Sequence, residues 1–199
     1  MTTTLIPNPA FGRIGIMGRA NKPSVIQSIY QICDFFHAQG LPMLIDHQTA
    51  RLPALDFSRL GNIRSIERSL LGGACDLVIV VGGDGSLLHA AQVLAKYNVP
   101  VVGVNRGRLG FLTDIYPDDL NLTLSHILAG RYELDQRFLL KMEIRQGAHV
   151  IYEDMALNDI VLHAGEMHTI TRPGKLVVEA MRPSQLGVQR GQATAPART

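Results

Sequence analysis

The chain contains 199 residues, of which 46% are hydrophobic and 18% are charged, and this composition is typical of a soluble globular protein with its own core. Its 19 basic and 17 acidic residues leave a formal net charge of +2, which argues against a nucleic-acid binder that depends on bulk electrostatics. The longest apolar run, residues 77–81, is too short to cross a bilayer, and residues 1–10 lack the order of a signal peptide, so we expect a cytoplasmic protein without a membrane partner.

The amino-terminal segment alternates between strand and helix. Residues 13–18 predict a short buried strand that ends in glycine, and residues 41–45 predict a second strand. Between them, apolar side chains recur on one helical face, namely Val25, Ile29, Ile32, Cys33 and Phe36. Strand, helix and strand in this order form a βαβ unit, which predicts a parallel sheet.

The same alternation continues as far as Gly130. Residues 77–81 and 99–104 predict two further buried strands, and each is followed by a stripe of apolar residues at helical spacing. Residues 47–73 have a weaker pattern, in which Ile63, Ile66 and Leu70 favour one helix after a loop. We therefore predict an α/β domain with a parallel, Rossmann-like sheet over residues 1–130.

The pattern changes after residue 130. Residues 138–144, 150–152 and 157–162 predict successive strands with little helix between them. This pattern predicts the beginning of a β-rich domain over residues 131–170, which is incomplete. Residues 171–199 are predicted to be a disordered or non-native tail, because the sequence after Arg182 has no acidic residue and almost no apolar periodicity.

The two cysteines do not predict a metal site. Cys33 and Cys75 each lie in an apolar stretch, and neither has a second Cys or a His at metal-ligand spacing. We expect two buried, reduced thiols, and no residue set in the sequence predicts a bound structural metal.

The motif that carries chemistry is the glycine loop, defined here as residues 82–86 with the sequence Gly-Gly-Asp-Gly-Ser. It joins a predicted strand to a predicted helix, which is where open α/β sheets bind ligands. Its three glycines, Gly82, Gly83 and Gly85, let a polyphosphate approach the backbone N–H groups, and the helix that follows adds a positive potential. The loop is not a dinucleotide fingerprint, since Leu88 occupies the last glycine position, and it lacks the Gly-Lys-Ser/Thr end of a Walker loop.

Asp84 stands in the middle of this predicted phosphate cradle, where a bare carboxylate is repelled by its ligand. Its presence is explained if it binds a divalent cation, accepts a proton from a hydroxyl nucleophile, or does both, and these are tasks of phosphoryl transfer. The nearest downstream cation is Lys96, so we expect a divalent metal cation, most simply Mg²⁺, to neutralise the phosphates. The alternative is an ordinary strand–helix turn in which Asp84 caps the helix.

Three further stretches carry a resemblance to a known family. These are residues 14–19 (Ile-Gly-Ile-Met-Gly-Arg), residues 103–114 (Gly-Val-Asn-Arg-Gly-Arg-Leu-Gly-Phe-Leu-Thr-Asp) and residues 156–163 (Ala-Leu-Asn-Asp-Ile-Val-Leu-His). In this order they resemble segments of the NAD kinases, a family that shares its glycine loop with diacylglycerol-type lipid kinases and 6-phosphofructokinases. The resemblance implies ATP-dependent phosphorylation of NAD to NADP by a homo-oligomer whose β-domain binds nucleotide.

The resemblance also implies a role for each matched position. Asp84 would accept the proton of the 2′-hydroxyl of the adenosine ribose of NAD, and Gly85 would contact the dinucleotide through its backbone. Asn158 and Asp159 would hold the ribose and adenine side of NAD, and Phe111 would lie against the adenine. The ATP phosphates would face the loop residues Gly82, Gly83, Gly85 and Ser86.

Residue chemistry alone leaves alternatives open. Asn158 and Asp159 also fit a polar turn before a strand, and Phe111 also fits core packing after a glycine-rich loop. The chain lacks later segments of the family's β-domain, among them a Thr-Gly-Ser-Thr-Ala-Tyr-like segment. We therefore expect an NAD kinase whose chain is an inactive fragment; the alternatives are a non-catalytic nucleotide-binding fragment and a lipid or sugar kinase that shares the glycine loop.

Overall fold

A computed structural model describes residues 10–107, 112–113, 115–157, 160, 175–181 and 187–190. In chain order, the strands and α-helices are β1 (Ile14–Gly18), α1 (Pro23–Ala38), β2 (Met43–Asp46), α2 (His47–Ala50), β3 (Ile63–Ile66), α3 (Arg68–Ala74), β4 (Leu77–Gly82), α4 (Asp84–Leu94), β5 (Val101–Asn105), α5 (Leu120–Leu128), β6 (Glu133–Gln136), β7 (Leu139–Gln146), β8 (His149–Ala156), β9 (Lys175–Met181) and β10 (Gly187–Arg190). Short 3-10 turns lie at Phe57–Leu60, Ala95–Tyr97 and Pro117–Asp119.

The larger of two sheets is doubly wound and confirms the predicted α/β fold. Its strand order is β3-β2-β1-β4-β5-β10-β6, and the strands from β3 to β10 are parallel, whereas β6 is antiparallel to β10. The chain runs outward from β1 to β3 and then returns to place β4 on the other side of β1. This reversal opens a crevice at the carboxyl ends of β1 and β4, the usual ligand position in such sheets.

Both faces of the main sheet are covered by helices, and β4 shows why its sequence is continuously apolar. Leu77, Ile79 and Val81 belong to the core cluster that also contains the buried faces of α1 and α5. Val78 and Val80 point to the opposite face and pack in the cluster formed with α3 and α4. A strand buried on both faces needs apolar residues at every position, so the alternation of a half-exposed strand is absent.

The smaller sheet contains β8, β7 and β9 in that order, and all its pairs are antiparallel. Gly147, with a φ of 61°, makes the turn between β7 and β8. Gln92 Nε2 of α4 donates a hydrogen bond of 2.8 Å to the Met155 carbonyl, which ties β8 to the main sheet's helical layer. The predicted β-rich segment therefore begins as a hairpin that contacts α4.

Residues 63–66 were predicted as part of a helix, and this prediction is wrong. They form β3, a four-residue edge strand parallel to β2, with Ile63 buried and Arg64 and Ser65 exposed. Such a short strand contains too few residues to show a period of two, and Ile63 and Ile66 happen to be three apart, which mimics a helical face. Leu70 does lie in a helix, α3.

The carboxyl-terminal part contributes two described strands. Within residues 171–199 these are β9 and β10, and both are paired. β6 and β10 join the main sheet, and the predicted domain boundaries and tail stay predictions. Of the predicted strand 157–162, Leu157 and Ile160 are described and lie in no strand, and the other residues fall outside the described part.

Both cysteines are buried and free, as predicted. Burial raises the pKa of the Cys33 thiol and of the Cys75 thiol to about 12, so both stay protonated near neutral pH. Among the described residues, no helix combines the length and the apolar character that a membrane span requires.

Candidate active site at the carboxyl edge of the main sheet

The glycine loop lies where three neighbouring parallel strands end. Gly18 of β1 is in register with Val81 of β4, and Gly82 is in register with Asn105 of β5. The loop therefore lies in the crevice that the reversal of strand order creates between β1 and β4. The chain segments that follow β1 and β5 flank it on either side.

The glycines in and near the loop differ in how closely other atoms approach them. A Cβ on Gly82 would lie 2.7 Å from Ser86 Cβ, closer than side chains tolerate, and a Cβ on Gly107 would lie 3.2 Å from Gly83 Cα. Gly82, Gly83 and Gly107 therefore allow close packing of the protein against itself. A Cβ on Gly85 would have no atom of the described residues within 4 Å, so packing within the described part of the chain does not require a glycine there.

Asp84 is the first residue of α4, and its carboxylate does not cap that helix. The cap position is held by Gly83, and no side chain caps the helix. Asp84 Oδ1 instead accepts hydrogen bonds from Leu112 N at 3.2 Å and from Thr113 Oγ1 at 3.4 Å. The alternative in which Asp84 is an N-capping acid is therefore wrong, and the carboxylate is held by the segment that follows β5.

That segment is fixed to the glycine loop through its backbone. Arg106 N donates a hydrogen bond of 2.8 Å to the Gly82 carbonyl, and the buried Asn105 accepts one of 2.9 Å from Gly107 N at Oδ1. Thr113 is buried against Gly103, where a Cβ would lie 3.2 Å from Thr113 Cα. These contacts position the segment that carries Leu112 N and Thr113 Oγ1, the two donors that bond Asp84.

Two arginines directly follow strands that end beside the glycine loop. Arg106 directly follows β5, and its Nε donates a hydrogen bond of 2.6 Å to Ser28 Oγ of α1. Arg19 directly follows β1 and is exposed. Lys96, the nearest downstream cation in the sequence, lies past the far end of α4, where it contacts the Tyr97 ring. Lys96 is therefore not positioned to neutralise phosphates at the loop, in line with the expectation that a divalent metal cation does so.

A buried ion pair braces the end of β1. Asp46 is fully buried, and its Oδ1 accepts hydrogen bonds from Arg68 Nη2 at 2.7 Å and Nε at 3.0 Å. Its other carboxylate oxygen accepts a short hydrogen bond from Thr49 Oγ1. The Thr49 hydroxyl also bonds the backbone of Gly18, accepting from its N–H at 2.7 Å and lying 2.9 Å from its carbonyl oxygen. The network fixes the backbone immediately before Arg19.

His89 of α4 belongs to the same edge of the sheet. Its half-buried imidazole has a lowered pKa, first because burial disfavours the charged form and then because the Arg68 and Arg19 charges repel a proton. The Asp46 carboxylate acts in the opposite direction. The net effect favours the neutral imidazole at neutral pH.

Not every position predicted for the site can be located. Phe111, Asn158 and Asp159 lie outside the described residues. Leu157, which directly precedes Asn158, packs in the same core cluster as Leu87 of α4. Leu112 and Thr113 were not singled out by sequence reasoning, although both lie in the stretch 103–114 that carries the family resemblance.

The chemistry of the site suits a divalent cation only in combination with a bound phosphate. In the described part of the chain, no group of three or more His, Cys, Asp or Glu side chains could hold a metal ion by itself. Mg²⁺ in phosphoryl-transfer sites is commonly held by one or two carboxylates together with substrate phosphates and water. Asp84, beside the open glycine loop, can supply such a carboxylate.

Comparisons with known proteins agree with this geometry. The family described as the ATP-NAD kinase N-terminal domain matches residues 14–132. An NAD kinase of Psychrobacter arcticus is 58% identical over 161 residues, which are 81% of this chain and 50% of that protein. An NAD kinase of Acinetobacter baylyi is 48% identical over 157 residues, 79% of this chain and 50% of that protein. The chain spans about half the length of the curated relatives it matches.

Among solved structures, the crystal structure of a yeast NADH kinase complexed with NADH superimposes with a TM-score of 0.63. The sequences are 18% identical, and the match covers 78% of this chain and 52% of the yeast chain. A likeness at this identity shows that the two chains share a fold.

Proposed function

Because this chain belongs to the NAD kinase family, we propose that it supplies the phosphoryl-transfer part of an enzyme that phosphorylates NAD with ATP to give NADP. The acceptor is the 2′-hydroxyl of the adenosine ribose. The observation that carries the proposal is the position of Asp84, whose carboxylate lies beside an open glycine loop at the switch point of the sheet.

The proposed reaction is an in-line transfer. The 2′-hydroxyl oxygen forms a bond to the γ-phosphorus of ATP while the bond between that phosphorus and the β,γ-bridging oxygen breaks, so that ADP leaves. The proton of the hydroxyl passes to the Asp84 carboxylate. The donors Leu112 N and Thr113 Oγ1 orient the carboxylate, and its position on the first turn of α4 keeps it next to the loop.

The glycine loop is proposed to hold the ATP phosphates. Gly82, Gly83 and Ser86 form the tight turn, and the open face of Gly85 leaves room for a ligand to touch the backbone. A divalent cation, most simply Mg²⁺, is proposed to bind Asp84 and the phosphates. It would neutralise phosphate charge when bound, and we expect chelation to abolish activity.

The NAD side of the site rests on positions outside the described residues. Asn158 and Asp159 are proposed to hold the ribose and adenine side of NAD, and Phe111 is proposed to lie against the adenine. The packing of Leu157 with Leu87 supports this placement, because it brings the chain toward α4 just before Asn158. A homo-oligomeric, cytoplasmic enzyme remains part of the proposal.

A second candidate function is nucleotide binding without catalysis. The chain spans about half the length of its curated relatives, so the activity of a whole relative is a proposal for this chain. A lipid or sugar kinase is disfavoured, since the match covers residues 14–132 and not the glycine loop alone.

The test is ATP-dependent conversion of NAD to NADP by the purified 199-residue chain, with and without a chelator. NADP formation that requires a divalent cation supports the kinase. Binding of ATP or NAD without turnover supports the non-catalytic fragment, and absence of both activities in a folded chain would contradict the proposal.

A further inference from the structure

A cavity of about 580 Å³ lies at the edge of the main sheet where its parallel strands begin, opposite the edge that carries the glycine loop. β1, β2 and β3 all start here, and the residues directly before them, Arg13, Pro42 and Asn62, line the cavity. The volume is within the range of about 300–1,000 Å³ that is usual for small-molecule sites. The cavity shares no lining residue with the proposed active site.

The charged and titratable side chains that line the cavity can only be neutral or positive. They are Arg13, Arg64 and His37, and no Asp or Glu of the described residues is among the lining ones. Neither arginine forms an ion pair with any residue that the structure describes. Asp76 lies behind Arg13, where its Oδ2 accepts a hydrogen bond of 3.1 Å from Gly12 N. The positive potential of the cavity therefore favours an anion.

The Arg13 guanidinium is oriented without being neutralised. Its Nη1 donates a hydrogen bond of 3.2 Å to the Ala74 carbonyl, at the carboxyl end of α3. A guanidinium carries several N–H donors, so one bond to a neutral carbonyl leaves its charge and further donors for a ligand. The buried side chains of Met43 and Leu44 also line the cavity. Such an apolar floor lowers the local dielectric constant and strengthens the attraction between a guanidinium and an anion.

The carboxyl end of α1 closes another side of the cavity. His37 lies in the last turn of this helix, and its Nδ1 is 3.9 Å from the Cβ position of Gly61, which directly precedes Asn62. The backbone N–H groups of Gln39 and Gly40 donate to the last carbonyl groups of α1. These bonds reduce the negative potential of the helix end, so the helix does not cancel the positive charge of the two arginines.

We infer that this cavity binds a small molecule with more than one anionic group, whose phosphates or carboxylates are held by Arg13 and Arg64. A guanidinium binds either group with two parallel hydrogen bonds. The two arginines come from β1 and β3, on either side of β2, so their backbones are about 10 Å apart. A ligand with anionic groups at both ends can bond both side chains at once.

The inference does not depend on the proposed function. The five residues of β1 separate Arg13 from the glycine-loop edge by about 17 Å, at about 3.3 Å per residue. A ligand in the cavity and a nucleotide at the loop would therefore not overlap. The cavity can bind its ligand in a chain that forms no NADP, and NADP formation can persist if the cavity binds nothing.

The experiment is isothermal titration of the 199-residue chain with two probes, citrate and inorganic pyrophosphate, without metal. Citrate presents carboxylates and pyrophosphate presents phosphates, so the two titrations distinguish the sources of negative charge. The variants are Arg13→Gln and Arg64→Gln. The matched control is Arg51→Gln, which removes the same charge from another exposed arginine, beyond the carboxyl end of β2.

We expect at least one probe to bind, and we expect Arg13→Gln and Arg64→Gln each to weaken that binding by about tenfold, the loss typical of one charge-assisted hydrogen bond. Arg51→Gln should leave the affinity unchanged. In ¹H–¹⁵N NMR spectra, the bound probe should shift the amide signals of Asn62 and Arg64. Pyrophosphate bound at the glycine loop would be recognised by shifts at residues 82–86 and by an affinity that Arg64→Gln does not change.

The Arg64 variant keeps the test independent of folding. The Arg64 side chain forms no hydrogen bond with the described residues, so its replacement should not disturb the sheet, and circular dichroism checks this. A folded chain that binds neither probe would overturn the inference. Equal affinities in the Arg13, Arg64 and Arg51 variants, or shifts confined to residues 82–86, would also overturn it.

Discussion

A substitution at Gly85 can distinguish an effect on the stability of the fold from an effect on ligand binding. No atom of the described residues lies within 4 Å of its Cβ position, and glycine within a helix costs stability relative to alanine. We expect Gly85→Ala to leave the free energy of unfolding unchanged or to raise it by about 0.5 kcal/mol. We also expect it to weaken ATP binding, since the new methyl group would occupy the space that a phosphate needs.

The two effects are measured by urea unfolding and by calorimetric titration with ATP. Gly82→Ala is the matched variant, because its Cβ would collide with Ser86 and should therefore lower stability. If Gly85→Ala binds ATP as tightly as the unchanged chain, the ligand does not approach the backbone at this position.

The buried ion pair between Asp46 and Arg68 gives a second prediction at the level of single residues. Asp46→Asn removes the negative charge and leaves the Arg68 guanidinium buried without its counter-charge. We expect a loss of about 3 kcal/mol in the free energy of unfolding, as is typical when one partner of a buried pair is removed.

Asp135→Asn is the control, because the pair between Asp135 and Arg137 is partly exposed, and such pairs contribute about 0–1 kcal/mol. Both variants are compared by urea unfolding. Similar losses in the two variants would mean that the Asp46–Arg68 pair does not brace the end of β1.

At the scale of secondary-structure elements, α5 offers a direct test of which helical face is buried. Leu124 is 0% exposed and packs in the core cluster with α1, whereas Leu122 of the same helix is 56% exposed. We expect Leu124→Ala to lower the free energy of unfolding by about 2–5 kcal/mol and Leu122→Ala to change it by less than about 0.5 kcal/mol. Equal effects in urea unfolding would place the helix in a different orientation.

How far the sequence predicted each element depended on length and burial. The strand at residues 77–81 and the helical face of α1 were predicted because a long apolar run and a repeated helical spacing are each compatible with few types of secondary structure. The four-residue strand β3 was not predicted, because it forms a strand only by pairing with β2. β6 and β10 were missed for the same reason, because each is held by partners distant in sequence.

The candidate site was predicted in part for a similar reason. The glycine loop is contiguous, so Asp84 could be recognised from its neighbours in sequence. Thr113 and Arg19 could not be assigned to it by spacing, because β-strand order brings them beside the loop from 29 residues after and 65 residues before Asp84. The order of strands in the sheet decides which strand ends are neighbours, and residue spacing in a single sequence does not reveal that order.

At the scale of the whole molecule, the chain combines a well-packed main sheet with a small sheet whose outer strand, β8, pairs only with β7 among the described strands. β8 lies at the edge of that sheet, and Val150, Ile151 and Tyr152 are exposed on it. Within the predicted tail, β10 pairs with β5 and β6, so part of residues 171–199 takes part in the main sheet. A non-native origin of this segment stays a prediction, which the encoding DNA can test in its three reading frames.

The central claim is that Asp84 accepts the proton in phosphorylation of NAD. The most direct measurement compares NADP formation by two chimaeras in which residues 1–157 precede the carboxyl-terminal half of the Psychrobacter relative, one unchanged and one with Asp84→Asn. We expect the unchanged chimaera to form NADP from NAD and ATP, and the variant to lose a factor of about 10²–10⁴ in kcat while remaining folded. NADP formation by the Asp84→Asn variant at nearly the unchanged rate would contradict the claim.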